Sequence, residues 1–390
     1  PGGTDHGVCL DHLVLSQRAA PVPAATDVCA VQSALSTRAR HQSVDWLATT
    51  ARPSRRKQRR VLGTQRDRRI GWEDVVSRDV VLDPTIARLV AAMATPPTLG
   101  QLGSQDGRLA LREAQRTVIE QPGTVARFHT APVGPSGLVG FWLVRPQNAQ
   151  GALPAVFYVH GGRFMFGDAD THGRVVGAIA TGCRAAVVVP EYSRAPEARY
   201  PVALEECYAA LLWVRDNAAS LGIEPKAFAL AGDCAGATIA AAVSMVCKAR
   251  GGPRLRAQLL YYPPTDARCE YPSHNAYAEG YLLTSDEQAW YWDQYCDGDL
   301  DCPTVSPVRA PVADLGGLPP TLIVTAEADV VRDEGEAFGE LLRAAGVPVT
   351  CTRYLGTVHD FVVLSQLSDT PAARAALEQG VRFLDEAIQR

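Results

Sequence analysis

One short stretch limits what this chain can fold into more than any other. An apolar run at residues 228–231 leads directly into Gly232-Asp-Cys-Ala-Gly236, and an alanine-rich segment continues to Ala242. A short apolar run is typical of a buried strand, and a run of alanine favours a helix. Small residues on both sides of Cys234 allow the strand to turn sharply into the helix. We therefore predict a strand–turn–helix unit with Cys234 at the apex of the turn.

This turn has the G-x-S-x-G pattern of a nucleophile elbow, with cysteine in the place of serine. A helix N-terminus stabilises negative charge, and it therefore favours the reactive thiolate of a cysteine placed there. The alternative is that Cys234 is a small buried apolar residue in a glycine-rich turn. We interpret Cys234 as a nucleophile because three other segments of the chain, among the motifs described below, support that role.

The composition suits one large domain, with or without an appendage, because the chain has 390 residues, 47% of them hydrophobic, and a net charge of -4. It contains no run of about 18 apolar residues, so we expect no membrane span. We also expect no secretory signal, since no basic region precedes an apolar core near the first residue.

The ten cysteines lack metal-ligand spacing. We interpret them as reduced thiols of a cytoplasmic protein and expect neither a metal nor an organic cofactor.

Residues 1–75 show no sustained helical or strand periodicity, and we interpret them as a poorly ordered basic extension. Residues 51–70 contain nine basic side chains and one acidic side chain. Such a run can contact nucleic acid, but it lacks interleaved aromatic residues and any nucleic-acid-binding module. We therefore expect no nucleic-acid partner.

Beyond the extension, apolar periodicity predicts helices over residues 82–93 and 107–119, the first with Asp83 as its N-cap and Pro84 at its first position. Further along, predicted strands alternate with predicted helices, which indicates a mostly parallel sheet with helices on both faces. Ligand sites in such sheets lie beyond the carboxyl ends of the strands. The strands are predicted at residues 140–146, 155–159, 185–189, 228–231, 257–261, 321–325 and 349–354.

Five motifs occur in a fixed order along residues 80–390, and together they resemble the hormone-sensitive-lipase family of α/β-hydrolases. They are similar, in order, to that family's HGGG, YRLAPE, GDSAGG, DPLRDEG and HGF motifs. The motifs are His160-Gly-Gly-Arg-Phe-Met-Phe-Gly-Asp168, Glu191-Tyr-Ser-Arg-Ala-Pro-Glu197, Gly232-Asp-Cys-Ala-Gly-Ala237, Asp329-Val-Val-Arg-Asp-Glu-Gly335 and His359-Asp-Phe361.

The resemblance implies an α/β-hydrolase fold with esterase or lipase activity. It implies that residues 76–135 form a small helical cap and that residues 136–390 form the catalytic domain. It also implies a homodimer as one possible assembly, although no stretch of the sequence identifies an interface. The chain departs from the family at Cys234, where serine is usual, and at Arg163, where the third glycine of HGGG is expected.

In this fold the catalytic residues follow the chain order nucleophile, acid, histidine. Cys234, Asp329 and His359 obey that order, and both Asp329 and His359 follow predicted strands. We therefore expect a Cys-His-Asp triad in which His359 is the base and Asp329 orients it. Asp333 is an alternative carboxylate, and Asp329 is alternatively the N-cap of the helix that follows.

Acyl transfer also needs hydrogen-bond donors for the oxyanion, and we expect them to be the backbone N–H groups of Gly161, Gly162 and Ala235. We expect the Arg163 side chain to point away from this pocket; if it enters, it offers a charge that binds an acidic substrate group. Asp168 is a candidate for holding the loop that contains Gly161 and Gly162.

Five aromatic residues are candidates for an acyl pocket, although ordinary packing is the favoured interpretation. They are Tyr277, Tyr281, Trp290, Tyr291 and Trp292.

The sequence thus predicts a hydrolase of a small carboxylic ester or thioester that works through an acyl-enzyme on Cys234. An acyltransferase or condensing enzyme with a non-water acceptor is a second interpretation, because a thioester also reacts with amines and thiols. A non-catalytic small-molecule receptor on the same fold is a third. The sequence alone does not distinguish a natural cysteine from an introduced Ser→Cys change.

Overall fold

The computed structural model describes residues 80–94 and 97–389. The predicted basic extension, residues 1–75, lies outside the described residues. The described chain forms one eight-stranded sheet with helices packed against it. The helices are α1 Pro84–Met93, α2 Leu99–Gln115, α3 Gly173–Gly182, α4 Val202–Asp216, α5 Ala218–Leu221, α6 Ala235–Arg250, α7 Pro272–Ala276, α8 Ser285–Tyr295, α9 Val312–Leu315, α10 Arg332–Ala344 and α11 Pro371–Ile388.

The sheet has the strand order β1-β2-β4-β3-β5-β6-β7-β8. The pairs β1–β2 and β2–β4 are antiparallel, and all the other neighbours are parallel. This confirms the predicted mostly parallel sheet. The strands are β1 Thr124–Ala131, β2 Val139–Pro146, β3 Leu153–Val159, β4 Ala186–Glu191, β5 Ile223–Asp233, β6 Leu255–Tyr261, β7 Thr321–Ala328 and β8 Val349–Val358.

Helices cover both faces of the central strands. Every residue of β5 from Ala227 to Asp233 is buried, although successive side chains of a strand point to opposite faces. Among the described elements, α6 packs on β3, β5 and β6, while α3 and α11 pack on each other and on strands of the sheet. Because both faces are covered, only the strand ends and the loops beyond them are open to a ligand.

The first helix begins as its sequence predicts. The side chain of Asp83 accepts a hydrogen bond from the Thr85 N–H at 2.8 Å, and Pro84 occupies the first helical position. Ile86 is fully buried, but Met93 is 46% exposed, so the apolar face of α1 is shorter than predicted. The second helix begins earlier than predicted, at Leu99, and is kinked in its first half by a glycine with φ 74°.

The predicted boundary between cap and catalytic domain, after residue 135, does not coincide with the start of the sheet. Strand β1 spans Thr124–Ala131 and therefore lies inside the range assigned to the cap. This strand is at the edge of the sheet, and most of its residues are partly or largely exposed, including Phe128 at 52%. An edge strand with polar residues and an exposed aromatic side chain lacks the continuous apolar run that marks a buried strand.

Candidate active site

The sharp turn between β5 and α6 places Cys234 at the carboxyl end of the sheet. Cys234 has φ 48° and ψ -129°, a conformation that is rare for a non-glycine residue. The turn is possible because two glycines flank it. A Cβ on Gly236 would lie 2.1 Å from the carbonyl oxygen of Val159, and one on Gly232 would lie 2.6 Å from the carbonyl oxygen of Gly236. The predicted strand–turn–helix unit is therefore present, and both glycines are required by close backbone contacts.

The structure brings the three residues of the predicted triad together. His359 Nε2 lies 3.0 Å from Cys234 Sγ, and His359 Nδ1 donates to Asp329 Oδ2 at 2.8 Å. Asp329 directly follows β7 and His359 directly follows β8, so both residues stand at carboxyl ends of neighbouring strands. The exposed fractions of Cys234, Asp329 and His359 are 1%, 2% and 1%. The thiol and its two partners are therefore closed off from bulk water.

The alternative carboxylate occupies a different position. Asp333 accepts from Arg332 Nε at 2.7 Å on the first turn of α10. Asp329 uses its two oxygens separately, because Oδ1 accepts from the Val331 N–H at 3.1 Å while Oδ2 faces His359. The N-cap of α10 is Val331, so Asp329 is not the N-cap of that helix, and its Oδ2 contact with His359 fits the orienting role.

Charge in the site is centred on the His359 imidazole. Burial lowers the pKa of His359, but the Asp329 carboxylate, Cys234 and Asp360 outweigh burial and raise that pKa well above its usual value. The ring is therefore held as an imidazolium around neutral pH. A positive charge 3.0 Å from Sγ stabilises negative charge on the sulfur. The pair combines a nucleophile with a proton donor, as acyl transfer requires.

One of the predicted oxyanion donors is already used. The Gly161 N–H donates to Asp233 Oδ1 at 3.0 Å. The N–H groups of Gly162, Arg163 and Ala235 make no hydrogen bond to any residue that the structure describes. Gly162, Arg163 and the next residue, Phe164, all have positive φ, at 114°, 56° and 62°. The Arg163 N–H, which was not among the predicted donors, is therefore free of any bond within the described residues, whereas the Gly161 N–H is engaged by Asp233.

A buried polar cluster that the sequence did not predict joins the loop after β3, residues 160–172, to the elbow at Cys234. Asp233, which precedes the cysteine, accepts from the Tyr158 hydroxyl at 2.6 Å and lies 3.3 Å from His172 Nε2. Burial alone raises the pKa of Asp233, but His172 outweighs it and holds that pKa below its usual value. Burial lowers the pKa of His172, and Asp233 in turn raises it. This ion pair and the bond to Gly161 fix the loop to the elbow.

Helix α2 is fastened over the same loop. Asp168 accepts from the Thr171 N–H at 2.9 Å and from Arg112 Nε. Arg108 Nε donates to the carbonyl oxygen of Met165 at 2.8 Å, and Gln115 Nε2 donates to that of Thr171 at 3.0 Å. These contacts support the hypothesis that Asp168 holds the loop, and they show that it does so together with α2.

The expectation that Arg163 points away from the site is wrong. Its side chain is buried, with an exposed fraction of 7%, and its Nη2 lies 3.2 Å from Asp360 Oδ2. Asp360 Oδ1 is in turn 3.6 Å from His359 Nε2. Burial lowers the pKa of Arg163, but Asp360 outweighs burial and raises it. A carboxylate inside the site explains why the guanidinium is held there and not in solvent.

The same region contains ligand atoms that suit a metal ion. The Cys234 sulfur, a His359 nitrogen and an Asp360 oxygen lie within 4.8 Å of one another, and these are ligand types that bind Zn²⁺. The proton on His359 and the positive charge of Arg163 oppose a cation at this point. The absence of a metal from the working protein therefore stays a prediction.

The aromatic residues of α8 mainly pack against the loop after Arg163. The Phe164 ring stacks on Tyr295 with centroids 3.9 Å apart, and Phe166 meets Tyr291 edge to face at 5.9 Å. Tyr291 and Trp292 are both buried. These contacts agree with the packing interpretation of the α8 aromatic side chains.

The residues of the candidate site all lie in the part of the chain that matches one protein family. A protein-family model described as an alpha/beta hydrolase fold matches residues 156–363. This range contains the loop at Gly161, the elbow at Cys234, and both Asp329 and His359.

Individual relatives match most of the chain. Carboxylesterase NlhH of Mycobacterium tuberculosis is 39% identical over 270 residues, which cover 67% of this chain and 83% of that protein. Putative alpha/beta hydrolase R526 of Acanthamoeba polyphaga mimivirus is 32% identical over 304 residues, covering 76% and 86%. The crystal structure of a thermostable esterase from Pseudomonas putida superposes with a TM-score of 0.77 at 36% identity, covering 80% of this chain and 100% of that one.

Proposed function

The chain belongs to this family of α/β-hydrolases, and on that premise we propose that it hydrolyses small carboxylic esters or thioesters through an acyl-enzyme on Cys234. The observation that carries the proposal is the line of contacts from Cys234 Sγ to His359 Nε2 at 3.0 Å and from His359 Nδ1 to Asp329 Oδ2 at 2.8 Å. The esterase names of its relatives and structural neighbours support the reaction class.

In the first half-reaction, Cys234 Sγ attacks the carbonyl carbon of the ester. The negative charge that develops on the carbonyl oxygen is received by the N–H groups of Gly162, Arg163 and Ala235. The C–O bond then breaks, the His359 imidazolium gives its proton to the leaving alkoxide, and a thioester remains on Cys234.

In the second half-reaction, the now neutral His359 takes a proton from water, and the resulting hydroxide attacks the thioester carbonyl. The C–S bond breaks, and the acid product leaves with Cys234 and His359 restored to their charged pair. Asp329 holds the Nδ1 proton of His359 throughout and therefore keeps Nε2 directed at the reacting atoms.

Acyl transfer to an acceptor other than water is a second candidate function, and one observation favours it. The cysteine and the histidine are each 99% buried, and a site closed to water lengthens the life of a thioester until an amine or thiol acceptor enters. A non-catalytic receptor on the same fold is the third candidate. It predicts that Cys234 forms no acyl adduct with any activated ester.

The proposal is tested by following p-nitrophenyl butyrate with nitrophenol release and intact mass recorded together. Steady turnover that disappears in Cys234→Ala supports the cysteine hydrolase. One equivalent of nitrophenol with a stable adduct on Cys234 favours the transferase. A strong rise of turnover in Cys234→Ser indicates a serine-esterase site that carries a cysteine. The absence of both product and adduct would contradict catalysis on esters of this size.

Within residues 80–94 and 97–389, no helix has both the length and the apolar character of a membrane span.

The cytoplasmic location and the homodimer remain proposals. The cytoplasmic location is tested by cell fractionation, and the homodimer is tested by analytical ultracentrifugation of the purified chain.

A further inference from the structure

Arg163 carries a buried positive charge whose hydrogen-bonding capacity is largely unused. A guanidinium has five N–H donors. Among the described residues, the Arg163 group has one ion-pair contact, from Nη2 to Asp360 Oδ2 at 3.2 Å, and its Nε is buried without any hydrogen-bond partner. Buried donors in native proteins are nearly always paired with an acceptor. The unpaired Nε is therefore a sign that an acceptor is supplied from outside the chain.

The position of this guanidinium is next to the reacting atoms. Its partner Asp360 directly follows His359 and lies 3.6 Å from the ring nitrogen that faces Cys234. The Arg163 Cζ lies over the Tyr291 ring, 5.8 Å from its centroid. Because the Cys234 sulfur and an Asp360 oxygen lie within 4.8 Å of each other, an acceptor bound by Arg163 would lie close to an acyl group on Cys234.

We propose that the Arg163 guanidinium binds a carboxylate of the substrate, so that the protein prefers esters with a free carboxylate close to the scissile bond. A guanidinium matches a carboxylate through two parallel N–H···O bonds, and it stays charged in a buried site. Asp360 engages one nitrogen and leaves the others for the substrate. This inference rests on the proposed esterase function and names its substrate class.

The negative charge of Asp360 has two opposite effects on the binding of a substrate carboxylate. Its negative charge holds Arg163 inside the site, yet it repels a second carboxylate that approaches the same group. Glu287 also adds negative charge near Arg163, while the imidazolium of His359 adds positive charge. Removing the charge of Asp360 without removing its shape should therefore strengthen the preference for charged esters.

The test compares two pairs of esters that differ in one charge. On the acyl side, the p-nitrophenyl monoester of glutaric acid is compared with p-nitrophenyl pentanoate. On the alcohol side, 4-carboxyphenyl butyrate is compared with 4-carbamoylphenyl butyrate. The readout is the ratio of kcat/KM for the charged ester to that for its neutral partner. A change at Arg163 that disturbs its backbone N–H acts on both members of a pair, and the ratio removes that effect.

We expect Arg163→Gln to lower this ratio by about 10- to 100-fold for one of the two pairs, which tells whether the carboxylate belongs to the acyl or the alcohol part. Arg163→Lys should keep part of the preference, and Asp360→Asn should raise it. Arg163→Gly is the second variant, because glycine adopts the φ of 56° found here without strain. Equal ratios in the wild type and in both neutral variants, for both pairs, would overturn the proposal.

A binding measurement separates failure of this inference from failure of the proposed function. Glutarate should slow the alkylation of Cys234 by iodoacetamide in the wild type at a concentration that has no effect in Arg163→Gln. Protection without ester turnover would support carboxylate binding while contradicting the hydrolase. Turnover of neutral esters with neither protection nor a charge preference would support the hydrolase while contradicting the role of Arg163.

Discussion

At the scale of single residues, Cys234 differs from the other thiols in its surroundings. Burial raises the pKa of Cys183 and of Cys247 to about 12, so both are protonated at neutral pH. Cys234 is as buried as they are, but it faces an imidazolium at 3.0 Å. This contact with His359 is the reason for proposing that Cys234, and not Cys183 or Cys247, attacks the acyl carbon.

The first prediction concerns thiol reactivity at pH 7. Iodoacetamide should alkylate Cys234 faster than Cys183 or Cys247, and His359→Gln should slow the reaction of Cys234 by at least about tenfold, because the charge that stabilises the thiolate is lost. Peptide mass spectrometry follows each cysteine separately. Cys183 serves as the internal control, because faster alkylation of this buried thiol in the variant would mean that His359→Gln loosens the fold. An unchanged rate at Cys234 would contradict the prediction.

The second prediction concerns the orientation of His359. Asp329→Asn should lower kcat for an activated ester by about 100-fold or more, because an amide no longer fixes the ring tautomer or stabilises the imidazolium. Asp333→Asn is the matched control, since that carboxylate contacts Arg332 and not the histidine. Similar losses in the two variants would contradict the assignment of Asp329.

At the scale of elements, the site depends on how α2 is attached to the loop that follows β3. Arg108, Arg112 and Gln115 lie on successive turns of α2, and all three contact residues of that loop. The sheet positions Cys234, Asp329 and His359, whereas this helix is bonded to the loop that carries the proposed oxyanion donors. A change in α2 should therefore alter turnover more than it alters the stability of the sheet.

The third prediction follows from the contact between Arg112 and Asp168. Asp168→Ala should lower turnover about tenfold while the melting temperature changes little, and Arg112→Ala should give the same defect. The double variant should be no worse than either single variant, because both act through one contact. Arg116→Ala is the control, since its partner is the exposed Glu113 on the same helix. Additive losses in the double variant would show that Asp168 and Arg112 act separately.

Most strands and helices could be predicted from the sequence, while the buried polar contacts between them could not. Apolar runs and alternating strands and helices predict the sheet, and the glycines around Cys234 predict the turn, because these signals are local. The start of α2 was hidden by Gly100, Gly103 and Gly107, which disfavour a helix when read alone.

Buried polar contacts escaped prediction because their partners are far apart in the chain. Asp233 meets His172 across 61 positions, and Gln115 donates to Val363 across 248 positions. The direction of Arg163 was also missed, since it is set by Asp360, a carboxylate on a different strand end. A pattern within one segment contains no information about which distant charge will neutralise a buried one.

At the scale of the whole molecule, one buried carboxyl links stability to pH. Glu334 on α10 is fully buried and lies 2.8 Å from His274 Nε2, and its Oε1 accepts from the Thr265 N–H at 2.9 Å. Burial raises the pKa of Glu334 to about 7, against a usual value of 4.5. The folded chain thus keeps a proton that the unfolded chain releases between these two values.

The fourth prediction is that this carboxyl makes folding less favourable as the pH rises. Its contribution is fully present below about pH 4.5 and is lost as the pH rises through about 7, a change of about 3 kcal/mol. Glu334→Gln, which stays neutral, should flatten this part of the profile of unfolding free energy against pH. Urea unfolding at several pH values measures it. An unchanged slope in the variant would assign the pH dependence to other groups.

The near-complete burial of Cys234 affects how quickly the protein is inactivated by oxidation. A thiolate is open to oxidation by peroxide to the sulfenic acid and then irreversibly to the sulfinic and sulfonic acids. With 1% of the residue exposed, peroxide reaches the sulfur only when the surrounding segments open, and the same opening must admit iodoacetamide or an ester. The time for which each molecule stays active under oxidative stress is then set by the fraction of time that these segments spend open.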